Sequence, residues 1–230
     1  MKKNIIHLFC ILSQLLILTR CDSTQKNESS NFNDTIKVNK SDTLSFLTEV
    51  QPILCDQFVN AAIEIPAGTV EKWEVNKLNG KLKFEYINNK PRIIDYIGYP
   101  GNYGMIPKTL LSEKNGGDGD PLDILVLGPP VKRGEIEKCK IIGVLYLLDH
   151  NENDDKIIAV SKNSSMYQIN SLEELKQNYK GVTEIIQLWF TNYKGAGKME
   201  SKGYGSKKNA IHILEKAIAE YKTNHDIEAY

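Results

Sequence analysis

The spacing of apolar residues changes character along the chain. Ile5 to Leu18 is an apolar run broken only by His, Ser and Gln among other small or soft residues, and Lys2 and Lys3 stand ahead of it. A positive start before a short apolar stretch is the layout of an export signal, and the run is too short and interrupted for a membrane span. Residues 21–44 are mostly Ser, Asn, Thr, Asp and Lys, which cannot build a core and read as a tether. From residue 45 the pattern becomes that of a folded domain continuing to residue 230. Ala62-Ile63-Glu64-Ile65 reads as a strand stopped by Pro66, and Val70 to Val75 as another. Leu82, Phe84 and Tyr86 alternate with Lys83 and Glu85 after an Asn79-Gly80 turn. Ile124–Leu127, Ile141–Leu148 and Ile157–Val160 are further strand candidates.

Helical spacing comes later. Ser171 and Glu174 form a capping box opening a short helix. Val182, Ile185, Ile186, Trp189, Phe190 and Tyr193 then recur at helical intervals, and Ile211, Leu214, Ile218 and Tyr221 make a second amphipathic face near the C-terminus. Short strands followed by helices predict an α+β fold, mainly β.

Composition narrows the reading only slightly. The chain has 230 residues, 41% hydrophobic and 25% charged, with 29 basic and 29 acidic side chains. That is an ordinary globular balance with no general attraction for nucleic acid. Removing residues 1–20 leaves 26 bases against 29 acids, a net of −3. Leu18-Thr19-Arg20-Cys21 resembles a lipoprotein processing site with Cys21 as the acylated residue, although Arg20 stands where a small residue is usual. The expectation is an exported protein that meets the membrane only through a lipid anchor; a non-functional leader would leave it cytoplasmic. Cys55 and Cys139 match no zinc spacing, and either pair with each other or stay as two buried thiols.

The chemistry is concentrated in Asp118-Gly119-Asp120-Pro121-Leu122-Asp123. Three carboxylates so close repel one another, and a divalent cation relieves that cost. Asp123 also runs straight into the apolar Ile124–Leu127 stretch, so it is positioned rather than merely exposed. An EF-hand is excluded, because Leu122 takes a ligand position and no Gly follows it.

This hexapeptide resembles the signature of the family I soluble inorganic pyrophosphatases. Glu64 before Ile65-Pro66, Lys72 and Glu74 around Trp73, and Tyr99-Pro100-Gly101-Asn102-Tyr103-Gly104 are similar to further family motifs, in the family's order. Asp149, Asp154 and Lys156 follow, then Tyr193-Lys194. The resemblance spans about residues 58–222 and implies a five-stranded OB-like barrel flanked by helices, including a C-terminal one, with the active site in a cavity at the barrel. It implies Mg²⁺-dependent hydrolysis of pyrophosphate, with several Mg²⁺ ions held by Asp118, Asp120, Asp123, Asp149 and Asp154. It makes Asp120 the base that takes a proton from water. Lys72, Arg92, Tyr193 and Lys194 would bind the phosphates, with Lys156 and Tyr103 supporting them. Glu64 and Glu74 would sit at the rim, and Tyr99 would support the site. Homo-oligomers of differing size are implied as well.

Each piece also has a plainer reading. Lys72 and Glu74 point to one face of a strand, but such pairs are usually surface ion pairs. Tyr99 and Tyr103, in a Gly/Pro/Asn-rich loop, are either packed aromatics or hydroxyl donors. His150 follows Asp149 where many family members carry an acid. Two other functions compete: a phosphate- or metal-binding lipoprotein without catalysis, and an OB-like nucleic-acid binder. The second would need a basic groove with stacking aromatics, whereas the marked residues here are acids.

Overall fold

The computed structural model describes residues 44–53, 58–115, 117–150 and 152–228. The export signal, Cys21, nearly all of the tether and Cys55 lie outside the described residues. Cys139 is a buried free thiol whose Sγ lies 3.7 Å from the carbonyl oxygen of Val59.

The main sheet contains β1 (Phe58–Ile65), β6 (Asn102–Met105), β7 (Asp123–Leu127), β10 (Lys156–Ser161), β8 (Ile136–Asp149) and β11 (Met199–Ser206), hydrogen-bonded in that order. A short β9 (Glu152–Asn153) pairs with the end of β8, and β8 also pairs with β1. The path β1-β6-β7-β10-β8 therefore returns to its start. Two small hairpins stand off this sheet: β2 (Trp73–Val75) with β3 (Leu82–Phe84), and β4 (Tyr86–Ile87) with β5 (Lys90–Pro91). The α-helices among the described residues are α1 (Leu172–Asn178), α2 (Val182–Asn192) and α3 (Lys207–Glu228). The fold is mainly β with few helices.

Two-residue alternation divides the strands between two cores. Leu125 and Leu127 of β7, with Ile158 and Val160 of β10, face a core closed by Leu172 and Leu175 of α1 and by Ile186, Trp189 and Phe190 of α2. Ile124, Val126, Ile157 and Ala159 face the other way, beneath Ala210, Leu214 and Ala217 of α3. Each fully buried Leu or Ile contributes roughly 1.5–3 kcal/mol.

Local signals are borne out where the chemistry is local. Ser171 Oγ accepts from the Glu174 N–H at 3.1 Å, capping α1. Gly80 ends the β2–β3 turn at φ 67°, where a Cβ would meet Ser45 Oγ at 2.0 Å. Other expectations are corrected. The strand expected over Val70–Val75 is confined to Trp73–Val75, with Glu71 bridging singly to Ile93. Ile185 is 56% exposed, so the buried stripe of α2 is narrower than its apolar spacing. Asn102–Met105 is a strand rather than a loop, and its glycine is required: a Cβ on Gly104 would come within 1.9 Å of the Ala62 carbonyl oxygen. β11 carried no periodic signal, because its sequence MESKGYGS follows β8 through a register shift between Ser201 and Gly203.

Candidate active site

The acidic loop has an internal logic. Gly119 takes φ 76°, which few other residues adopt. Asp118 Oδ1 accepts from the Asp120 N–H at 2.9 Å, folding the loop over itself. Leu122 is fully buried under α3, and its N–H donates to Thr109 Oγ1 at 2.9 Å. Leu122 and two backbone hydrogen bonds with Leu111, one from the Gly119 N–H and one to the Asp120 carbonyl, both at 2.8 Å, pin the loop, and its three aspartates line the cavity.

Strand pairing does the rest. β7 and β10 run parallel with Ile124 beside Ile157, so Asp123 and Lys156 begin neighbouring strands side by side. Both share the face of Leu125 and Ile158, at the open end of the first core. Lys156 Nζ donates to Asp123 and to Asp154, and Lys194 Nζ donates to Asp149 at the end of β8. Lys77, in the β2–β3 turn, pairs with Asp120.

These groups line one cavity of about 480 Å³, whose walls carry eight carboxylates and six cationic side chains. Asp118, Asp120, Asp123, Asp149 and Asp154 are all in its wall, with Glu64, Glu74, Lys72, Arg92, Tyr103, Lys156, Tyr193 and Lys194. Tyr103 belongs to β6, with the Lys72 and Lys156 ammonium groups 5.7 and 5.8 Å from its ring centre. Tyr99 does not line the cavity. It is 3% exposed, 4.3 Å from Trp189 and 5.0 Å from Tyr103 between ring centres, and so packs behind the wall. Glu64 is not at a rim either; it is 6% exposed and accepts from the Val75 N–H at 2.7 Å. Glu74 pairs with Lys83 at 3.0 Å.

The electrostatics follow burial and pairing. Burial pushes the Glu64 carboxyl up to about 8, against the opposing pull of Lys72. Burial also raises Asp118 and Asp154, the latter despite Lys156 beside it. For Lys156, burial disfavours the charge, but Asp123 and Asp154 outweigh it and hold the ammonium protonated. Burial works against Asp149 too, yet Lys194 and His150 bring it below the usual carboxylate range. Burial keeps the Tyr103 and Tyr193 phenols neutral.

The donor set is that of a hard cation. Among the described residues no three acidic, His or Cys side chains form a ready-made cage. Lysine ammonium groups stand against the carboxylates instead. Each of Asp120, Asp123 and Asp154 gives only one oxygen to a lysine. Among the described residues the second oxygen of each has no protein hydrogen-bond donor. An all-oxygen, anionic set of this kind fits Mg²⁺. Asp149 fits less readily, since His150 Nδ1 lies 2.7 Å from Oδ1 while Lys194 takes Oδ2.

The family model for inorganic pyrophosphatase matches residues 61–222. The chain belongs to the inorganic pyrophosphatase family. The Xylella fastidiosa inorganic pyrophosphatase is 34% identical over 169 residues, covering 71% of this chain and 89% of that protein. The one from Campylobacter jejuni is 33% identical over 168 residues, covering 71% and 92%. The crystal structure of the Thermus thermophilus inorganic pyrophosphatase superposes with a TM-score of 0.66 at 28% identity, over 78% of this chain and 99% of that one. Measured against this pyrophosphatase fold, the sequence reading missed Lys77, Lys83 and Glu85 in the cavity wall. Lys77 sits in a polar hairpin turn, where its spacing looks like that of any solvated lysine. Glu85 looked like one polar member of an alternating strand.

Proposed function

We propose that this chain hydrolyses inorganic pyrophosphate to two phosphates, and that the closed circuit β1-β6-β7-β10-β8 is the OB-like barrel of a catalytic domain over residues 45–230. The observation that carries the reading is the single cavity in which the acidic loop meets Lys72, Arg92, Lys156, Tyr193 and Lys194. Asp118, Asp120, Asp123, Asp149 and Asp154 are the residues proposed to hold Mg²⁺. When bound, that ion neutralises phosphate charge and lowers the pKa of a coordinated water. Asp120 takes the proton from the attacking water, whose oxygen forms the new bond to one phosphorus as the bridging P–O bond breaks. Lys72, Arg92 and Lys194 oppose the charge that collects on the two phosphates. Tyr193 donates its neutral hydroxyl to a phosphate oxygen. Lys156 and Tyr103 hold the wall in place, the lysine by aligning Asp123 with Asp154.

Phosphate release from pyrophosphate in Mg²⁺ tests this directly. Asp120→Asn keeps the side chain's size and removes the proton acceptor, so kcat should fall about 10²–10⁴-fold. Undiminished kcat at saturating Mg²⁺ would remove Asp120 from that role, and no phosphate release by the wild type would remove the activity itself.

Export and anchoring through Cys21 form part of the same proposal, supported by the apolar run that ends at Leu18-Thr19-Arg20-Cys21. No helix among the described residues is long and apolar enough to cross a membrane. Membrane fractionation decides the matter: Cys21→Ser should shift the protein out of the pellet, and a wild type wholly in the cytosol with residues 1–20 intact would defeat it.

A further inference from the structure

We infer that Glu85 is the positioning residue for Arg92, holding its guanidinium so that one edge stays free for a substrate phosphate; this rests on the reading that Arg92 binds phosphate. Glu85 and Arg92 are joined by the β4–β5 hairpin. Its two-residue turn, Asn88-Asn89, lies in the left-handed region at φ 52° and 59°, a conformation that Asn tolerates better than most residues. The hairpin sends the chain out and straight back, so that Arg92 returns beside Glu85.

The backbone locks that return. The Arg92 N–H donates to the Glu85 carbonyl at 2.8 Å, the Glu85 N–H to the Lys72 carbonyl at 2.9 Å, and the Lys72 N–H to the Arg92 carbonyl at 3.0 Å. Three segments of chain thus close a triangle, and the side chains of all three residues line the cavity. Two of them are cations. The third is a carboxylate facing a site for a highly charged anion, where an unpaired acid would oppose binding.

The side-chain geometry explains its presence. Arg92 Nη1 donates to Glu85 Oε1 at 2.8 Å and to Oε2 at 2.9 Å. Both side chains are mostly buried, at 25% and 21% exposure, so the pair is shielded from screening. One nitrogen is held, while Nε and Nη2 have no protein acceptor among the described residues. A guanidinium fixed at one corner presents its remaining N–H groups in a set direction, the arrangement that two-point phosphate contact requires. Arg92 stands at the base of the hairpin, and among the described residues Glu85 is the charged group that anchors its side chain. Glu85 therefore acts through Arg92 and not on the substrate.

A double-mutant cycle tests this. KM and kcat for pyrophosphate in Mg²⁺ are measured for the wild type, Glu85→Gln, Arg92→Met and the double variant, and the affinity of each for inorganic phosphate is measured by calorimetry. Glu85→Gln alone should raise KM about tenfold and weaken phosphate binding to match, with kcat changed much less. On the Arg92→Met background the same change should leave KM unaltered or lower it, since only the opposing charge of Glu85 remains there. Equal losses in both backgrounds would overturn the inference, as a structural role predicts them. A lower KM on the wild-type background would overturn it as well, because Glu85 would then be withholding Arg92. If the wild type proves unable to hydrolyse pyrophosphate, the activity reading fails alone, and the four phosphate affinities still decide the role of Glu85 by the same pattern.

Discussion

Lys156 and Lys77 are both paired with aspartates of one acidic loop, at opposite depths of one cavity. The Lys156 side chain is 2% exposed and bridges Asp123 and Asp154 at the start of two parallel strands. Lys77 is 59% exposed and reaches Asp120, itself 46% exposed, from a hairpin turn. The same pair of residue types therefore does different work. On the floor, water cannot replace a lost partner, so the lysine and its carboxylates must be present together. At the mouth, water or an ion substitutes freely, and the pair adds little to stability. The floor is built as part of the fold, and the mouth is built to exchange.

Removing the lysine on the floor should give the largest effect. Lys156→Met leaves Asp123 and Asp154 facing each other without their shared cation, and breaking a buried pair in this way costs about 3–5 kcal/mol. Calorimetric unfolding should show a clear drop in Tm without metal. Added Mg²⁺ should recover part of it, since binding to the native state stabilises by mass action. A variant as stable as the wild type in chelator would erase the distinction between floor and mouth.

How much of this was legible in the sequence depends on whether the signal is local. The acidic loop could be read because Gly119, the paired acids and the buried Leu122 are consecutive, and each constrains the next. The α1 cap and the strands at Ile124–Leu127 and Ile157–Val160 were likewise readable from their own residues. That Lys156 stands beside Asp123 was not, because it depends on the parallel register of β7 and β10, and register is decided by pairing across the sheet. Nor was the burial of Glu64 readable: its strand is covered on both sides, and the cover over Glu64 comes from the β2–β3 hairpin, whose Val75 N–H it accepts. Lys77 and Glu85 were missed for the same reason, since hairpins deliver them to the cavity.

Glu64 gives the intermediate effect, carried by pH. Its carboxyl is 6% exposed, and burial raises it from the ordinary 4.5 to about 8. The folded state therefore keeps a proton that the unfolded chain gives up. The stabilisation this provides is fully present below pH 4.5 and is lost as the pH rises through about 8. Tm measured in chelator should fall between pH 5 and pH 8. Glu64→Gln still accepts the Val75 N–H but cannot ionise, so it should flatten that fall. An unchanged slope would mean that Glu64 is solvated in the native state and belongs with the mouth.

The smallest effect is expected at Lys77. Its pair with Asp120 is half exposed on both sides, so Lys77→Met should change stability by less than about 1 kcal/mol. Its consequence should appear in cation binding instead. The ammonium group holds one oxygen of Asp120, and it places a positive charge beside the carboxylate where a second positive charge must come. Removing it should tighten Mg²⁺ binding about two- to fivefold, the equivalent of a surface ion pair of up to ~1 kcal/mol. Calorimetric titration without substrate reads this independently of turnover. The gain should shrink in high salt, because exposed charges are screened there. The Lys156 variant should not show that salt sensitivity in its stability loss, since its charges are shielded from the solvent. Should Lys77→Met instead weaken Mg²⁺ binding, or lower Tm as far as Lys156→Met does, the turn would be part of the floor, and depth would no longer separate the two lysines.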